Sequence, residues 1–233
     1  MVCNATGFET LPFAFVHSLN PRLDFIKVLQ QFFARKRQVG THPSAVIENG
    51  AKIGENVSIG PFVYIGSEVE VGDECVISEG VSLKGKLKIG SNCRIKANAV
   101  LGEDGFGFEY DEDGTPIHFP HLGGIILEDG VFIGSCATVE RGTLGDTILR
   151  ENVKVDDHVQ VGHNCEVECN TLIMAGAVLC GGVKVGSRCW IAPNSSIKEK
   201  VIIGDNVLIG LGAVVLKEVP SGLRMAGVPA KPI

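Results

Sequence analysis

The sequence predicts an all-β solenoid, a parallel β-helix assembled from six-residue rungs. Three observations carry this. First, every sixth residue from Ile47 to Leu101 is aliphatic, in the order Ile47, Ile53, Ile59, Ile65, Val71, Ile77, Leu83, Ile89, Ile95 and Leu101. Second, the position four residues further on holds only small or aliphatic side chains: Ala51, Val57, Val63, Val69, Cys75, Val81, Leu87, Cys93 and Ala99. Third, the chain is rich in glycine, at 30 of 233 residues, while aromatic residues make up only 6%, as short strands joined by tight bends require.

The period has a direct physical meaning. Side chains alternate in and out along a strand, so a rung of one short strand and one bend returns an aliphatic residue to the core each time. The smaller residue fills the corner, and stacked rungs pair only with their neighbours, as in other solenoids. Gly54, Gly60, Gly66 and Gly72 follow the inward aliphatic residue, where freedom in φ would suit a bend. After a break the pattern returns at Leu127, Ile133 and Val139. It slips again near 141–148 and then runs without a miss from Leu149 to Val215. The β-helix is assigned to 41–233, with a loop insertion at 103–124.

Residues 1–40 read differently. Asn20 followed by Pro21 is an N-cap with proline at the first helical position. Leu23, Ile26, Leu29 and Phe33 recur at helical spacing, and the basic 35–37 run suits a helix C-terminus. One helix over 21–37 is predicted, ended by Gly40.

Composition narrows the function. A net charge of −6 excludes nucleic acid as the main partner, since phosphate binding needs a cationic face. No apolar run reaches the roughly 18 residues of a membrane span, so no integral membrane segment is expected. The first residues carry Glu9 and no basic stretch, which argues against a secretory signal. Of the eight cysteines none forms a CxxC pair, and Cys75, Cys93, Cys165 and Cys189 fall on the small inward position. Buried filler in a reduced, cytoplasmic protein is the expectation.

The candidate chemistry centres on one histidine. His163 lies two residues after the inward Val161 and directly follows Gly162, which places it at a rung bend on the outside of the prism. Imidazole, with a reference pKa of about 6.5, is the usual proton acceptor at neutral pH. The insertion at 103–124 carries Phe106 and Phe108 among glycines, an expensive exposure unless they cover something. A zinc set drawn from His121, His158 and His163, as in β-helix carbonic anhydrases, fails on phase: His158 sits three residues after its inward valine and His163 two. No metal is expected.

Taken in order, Asp104-Gly-Phe-Gly-Phe108, Pro120-His121-Leu-Gly123, Glu140-Arg-Gly142, Asp146-Thr-Ile148 and Val159-Gln-Val-Gly-His-Asn164 resemble the UDP-3-O-acylglucosamine N-acyltransferases of lipid A synthesis. These belong to the hexapeptide-repeat acyltransferases. The resemblance runs from about 16 to 220. It implies a left-handed β-helix, whose hand sterics alone do not supply. Residues 1–40 would be the remnant of a uridine-binding domain. The implied reaction is transfer of an acyl group from a thioester to the amine of a nucleotide-linked amino sugar. His163 would be the general base. Gln160, Asp104, Phe106, Phe108 and His121 would bind the acceptor, and Asp156, Gly181 and Lys200 the donor. Acyl carrier protein or acyl-CoA would serve as donor, with no permanently bound cofactor, in a homotrimer with sites between subunits. Two positions depart from the family, which has a histidine where Lys200 stands and an asparagine where Asp157 stands. The run Ala226-Gly-Val-Pro-Ala-Lys231 resembles coenzyme A-dependent acetyltransferases instead. Two alternatives therefore stay open: a CoA-dependent enzyme for another nucleotide-amino sugar, and a non-catalytic scaffold.

Overall fold

The computed structural model describes residues 2–3, 16–33 and 38–233, in two compact units divided between Gln38 and Val39. In the first unit a short parallel pair, Val2–Cys3 with Val16–His17, precedes the helix Pro21–Phe32. Asn20 caps it as expected, its side chain accepting the Leu23 N–H at 3.2 Å, and Pro21 takes the first turn. The helix is shorter than predicted. Phe33 leaves helical geometry at φ −125° while its N–H still closes on the Leu29 carbonyl. Two successive phenylalanines are weak helix formers, and no side chain of the helix is buried to hold a further turn. The 35–37 run lies outside the described residues. Gly40 does not end the helix; it opens the strand Gly40–Thr41.

The second unit is the predicted β-helix. Among its described residues, two- and three-residue strands stack into three parallel sheets. The first sheet runs from Val46–Ile47 to Val214–Val215, and the second from Lys52–Ile53 to Ile202–Ile203. The third runs from Gly40–Thr41 through Leu208–Ile209 and is finished by Arg224–Ala226 and the antiparallel Lys231–Pro232. Partners in adjacent coils are eighteen residues apart, as in Ser82 with Val100, which is three rungs per coil. The inward aliphatic column is the core: Ile65, Leu83, Leu101, Leu149, Val161, Leu179 and Ile197 are fully buried. Ile47 and Ile53, in the first coil, each retain 36% of their surface because a coil follows them on one side only. Cys75, Cys93, Cys165 and Cys189 are buried, as expected.

The glycines after the inward residues serve a purpose other than the one expected. Gly54, Gly60 and Gly72 are not at positive φ. A Cβ on Gly54 would lie 2.7 Å from the Gly72 carbonyl carbon, and one on Gly72 equally close to that of Gly90. The next coil's bend occupies the space, so close approach is what excludes a side chain. The left-handed conformation falls two residues later and is mostly taken by asparagine, at Asn56, Asn92, Asn98, Asn152, Asn164, Asn170, Asn194 and Asn206. Asparagine tolerates that region better than other non-glycine residues.

Both interruptions leave from the same corner, between the first and second sheets. Val100 pairs with Thr138, an offset of 38, and Thr138 with Gln160, an offset of 22, before the offset of eighteen returns at Val178. The first interruption is more than a loop: Phe108–Tyr110 and Pro116–His118 form an antiparallel hairpin. Its turn is an Asp111 device, with the carboxylate accepting the N–H groups of Asp113 and Thr115 at 3.0 and 2.8 Å.

Candidate active site

His163 occupies that same corner one coil beyond the slip, directly after the strand Gln160–Val161. The insertion, the slip and His163 thus follow one another on consecutive coils. The next coil contributes Gly181, and the one after it Lys200, whose N–H donates to the Gly181 carbonyl at 3.0 Å. Stacking of strands brings together residues separated by up to a hundred positions of chain.

The histidine is held from both sides. Its backbone N–H donates to Glu140 Oε2 at 3.1 Å, and Glu140 Oε1 accepts the Gln160 side-chain amide at 3.1 Å. Its Nδ1 lies 3.1 Å from Asn164 Oδ1. That oxygen already accepts from the Thr143 backbone N–H at 3.0 Å and hydroxyl at 2.8 Å, while Asn164 Nδ2 donates to the Gly145 carbonyl at 3.3 Å. This network assigns the amide orientation, so Nδ1 must be the protonated nitrogen and Nε2 keeps its lone pair. Nε2 faces Gly181, where a Cβ would come within 2.5 Å of it. A glycine is required there for the imidazole to stand as it does.

His121 closes the other side, its ring edge-on to His163 at 5.1 Å between centroids. It is buried, at 3% exposure, with Nδ1 2.9 Å from the Phe119 carbonyl and Nε2 without a partner among the described residues. Asp104 lies beneath, paired with Arg141, whose Nε donates at 2.6 Å. Burial pushes the Asp104 carboxyl up, but Arg141 and the His121 N–H outweigh it and hold the group below the ordinary aspartate value. The rings of Phe106 and Phe108 meet at a tilt of 54° with centroids 4.8 Å apart, and Phe106 is 89% exposed, so in one chain it covers nothing. Leu122 and Leu144, at the same corner, are likewise exposed.

The structure therefore gathers His163, Gln160, His121, Asp104, Gly181 and the phenylalanine loop, with Lys200 further along the corner. Asp156 is elsewhere. It follows the strand Lys154–Val155 of the third sheet and accepts the Ala175 N–H at 3.2 Å, at the corner between the third and first sheets. His158 shares that other corner, so His121, His158 and His163 do not converge. Asp157 accepts from Lys96 at 2.5 Å and from the Ser135 N–H, and Lys96 holds its carboxyl below the usual range. Sequence reasoning missed Glu140, Arg141, His118 and Asn164 as site residues. The signals available were the Glu140-Arg-Gly142 motif and Asn164, an asparagine at the left-handed bend position immediately after the histidine.

A parallel β-helix with a bare imidazole nitrogen at a corner, beneath a loop inserted into the coils, defines a hexapeptide-repeat acyltransferase. The family Bacterial transferase hexapeptide (six repeats) matches residues 50–85 and 182–217. The chain is 36% identical over 228 residues to the UDP-3-O-acylglucosamine N-acyltransferase of Coxiella burnetii, covering 89% of this chain and 67% of that one. It is 34% identical to the enzyme of the same name from Bordetella pertussis, covering 90% and 64%. Among solved structures, the UDP-N-acetylglucosamine acyltransferase of Francisella novicida superposes with a TM-score of 0.77 at 27% identity, over 83% of this chain and 70% of that one. The chain belongs to the UDP-3-O-acylglucosamine N-acyltransferase family.

Proposed function

We propose that this protein transfers an acyl group from a thioester to the amine of a nucleotide-linked amino sugar, with His163 as general base. The observation that carries the reading is the bare Nε2 of His163, left unprotonated by the Asn164 contact and facing the open side of Gly181. In the reaction the acceptor nitrogen attacks the thioester carbonyl carbon and Nε2 takes the nitrogen's proton. The carbon–sulfur bond of the resulting tetrahedral oxyanion then breaks, and the leaving thiolate recovers the proton from the imidazolium. A positioned base of this kind contributes roughly 10²–10⁴-fold. The Gly181 N–H has no partner among the described residues, and Gly181 packs against the imidazole, which suits that N–H to the developing oxyanion.

Acceptor binding falls to Gln160, Asp104, His121 and the loop of Phe106 and Phe108, gathered at the corner of the imidazole. Gly181 and Lys200 mark the donor path along the corner. Asp156, at another corner, reaches a donor only if a second copy supplies it. The exposed Phe106, Leu122 and Leu144 around the site support a homotrimer with each site shared between neighbours. Among the described residues no helix is long and apolar enough to cross a membrane. The donor is an acyl carrier protein or a coenzyme A thioester, the Ala226–Lys231 run being the feature that speaks for coenzyme A.

The test is acyl transfer by the purified full chain from acetyl-CoA and from a long-chain acyl carrier protein, to UDP-glucosamine and to dTDP-linked amino sugars. Product with one donor–acceptor pair, lost in His163→Ala, is the expected result. Undiminished turnover in His163→Ala overturns the mechanism. Absence of product from every pair leaves the scaffold reading standing.

A further inference from the structure

We propose that Asp104, His118 and His121 form a binding site for a divalent ion of the zinc class, fastening the hairpin to the catalytic corner. One ligand atom from each lies within 4.8 Å of the other two. The His118 Nε2 to Asp104 Oδ2 separation is 3.9 Å. Tetrahedral zinc with ligand bonds near 2.1 Å holds its ligands roughly 3.4 Å apart, so the three close on an ion by small movements. His118 is 41% exposed at the end of the hairpin strand Pro116–His118 and has the freedom to make them.

Three features go beyond proximity. His121 Nε2 is the one buried side-chain nitrogen or oxygen without a hydrogen bond among the described residues, and a buried orphan of this kind requires an explanation. Its Nδ1 meets the Phe119 carbonyl at 2.9 Å, which keeps the proton on Nδ1 and the lone pair on Nε2. Metal-ligating histidines are characteristically held in this way. Asp104 is anchored in turn: Arg141 occupies Oδ1, leaving Oδ2 toward the histidines. Two imidazoles and one carboxylate suit zinc and leave a fourth position for water. His118 and His121 are separated by Phe119 and Pro120, an HxxH spacing, and the third ligand comes from seventeen residues upstream.

The site shares Asp104 and His121 with the acceptor side of the corner, whereas His118 belongs to the metal site alone, so metal binding is read separately from acyl transfer. A bound ion would tie the base of the insertion, at Asp104, to its returning strand, at His118. The expected structural consequence is a stiffer hairpin.

The experiment is calorimetric titration of the full chain, stripped with chelator and kept reduced, with ZnCl2, alongside Co2+ absorption spectroscopy. His118→Ala, an exposed position outside the acceptor and donor residues, is the test variant, and its melting temperature without metal checks its fold. One zinc per chain, weakened at least about 10-fold in His118→Ala, is expected. Cobalt should show visible bands without strong thiolate charge transfer. Binding that is equal in both proteins, thiolate bands that assign the metal to cysteines, or no binding in the unmodified chain overturns the proposal.

Discussion

The coils between Leu149 and Val215 and the corner that carries residues 103–124 follow opposite rules. In the coils the inward side chains are apolar apart from Thr171 and Ser195, whose buried hydroxyls donate to the Gly186 and Ala192 carbonyls, and the bends repeat one geometry. At the corner a histidine is buried with an unpartnered nitrogen, an aspartate is held in ion pairing, and Phe106 stands in solvent. A stack of identical coils supplies stability in excess and in parallel, since each coil is supported by two neighbours. The corner is where departures from good packing collect. A rigid scaffold bearing a locally unfavourable site is what positioning a base and two substrates requires.

Substitutions sharpen the contrast by separating activity from stability. The largest expected effect is at His163: His163→Ala should lower acyl transfer by roughly 10²–10⁴-fold while leaving the thermal midpoint close to that of the parent. A fall in the midpoint comparable to a core mutation would erase the distinction between the two regions. Leu179→Ala, one coil beyond in the fully buried column, should do the reverse. It should destabilise the chain by about 2–5 kcal/mol in urea unfolding, with turnover of the folded fraction retained.

Gly181→Ala joins the regions. Its φ is not in the left-handed range, so the backbone accepts alanine, but the new Cβ would lie 2.5 Å from His163 Nε2. Displacing the imidazole by such a margin should cost about 10² in kcat, with a stability change well below that of Leu179→Ala. The smallest effect concerns the buried thiols. Burial pushes Cys165 up to about 12. A raised folded-state value means that its contribution is fully present below the free thiol value of about 8.5 and is lost as pH rises from there toward 12. The melting temperature should therefore fall above pH 8.5, and Cys165→Ala should fall less steeply. A flat profile to pH 10 would remove this group from the account.

Much of the scaffold was legible because its period is one-dimensional. The inward column, the buried cysteines, the N-cap at Asn20 and the slip near 141–148 all follow from counting along the chain. The site was legible only in part. His163 was placed at a bend by its phase, yet nothing in phase tells which residues eighteen, twenty-two or thirty-eight positions away will stack against it. Glu140 and Thr143 reach the histidine and Asn164 across coils, and the two interruptions reset the count between them. The role of Gly54 and Gly72 was misread for the same reason, because the atoms that exclude a side chain belong to the following coil. The hairpin within 103–124 was not foreseen because its strands, Phe108–Tyr110 and Pro116–His118, are three residues each, too short for alternation to register.

The sequence by itself determined the β-helix, the radial position of nearly every rung residue, and the family. Those depend on repetition and side-chain type, which are local properties. Only the tertiary structure decided that the insertion, the slip and His163 share one corner, that Asn164 fixes the imidazole's proton, that Asp156 lies at another corner, and that Asp104, His118 and His121 converge. Those depend on how many residues each coil spends before it closes. Strand pairing between coils sets that number, and no period in the chain records it.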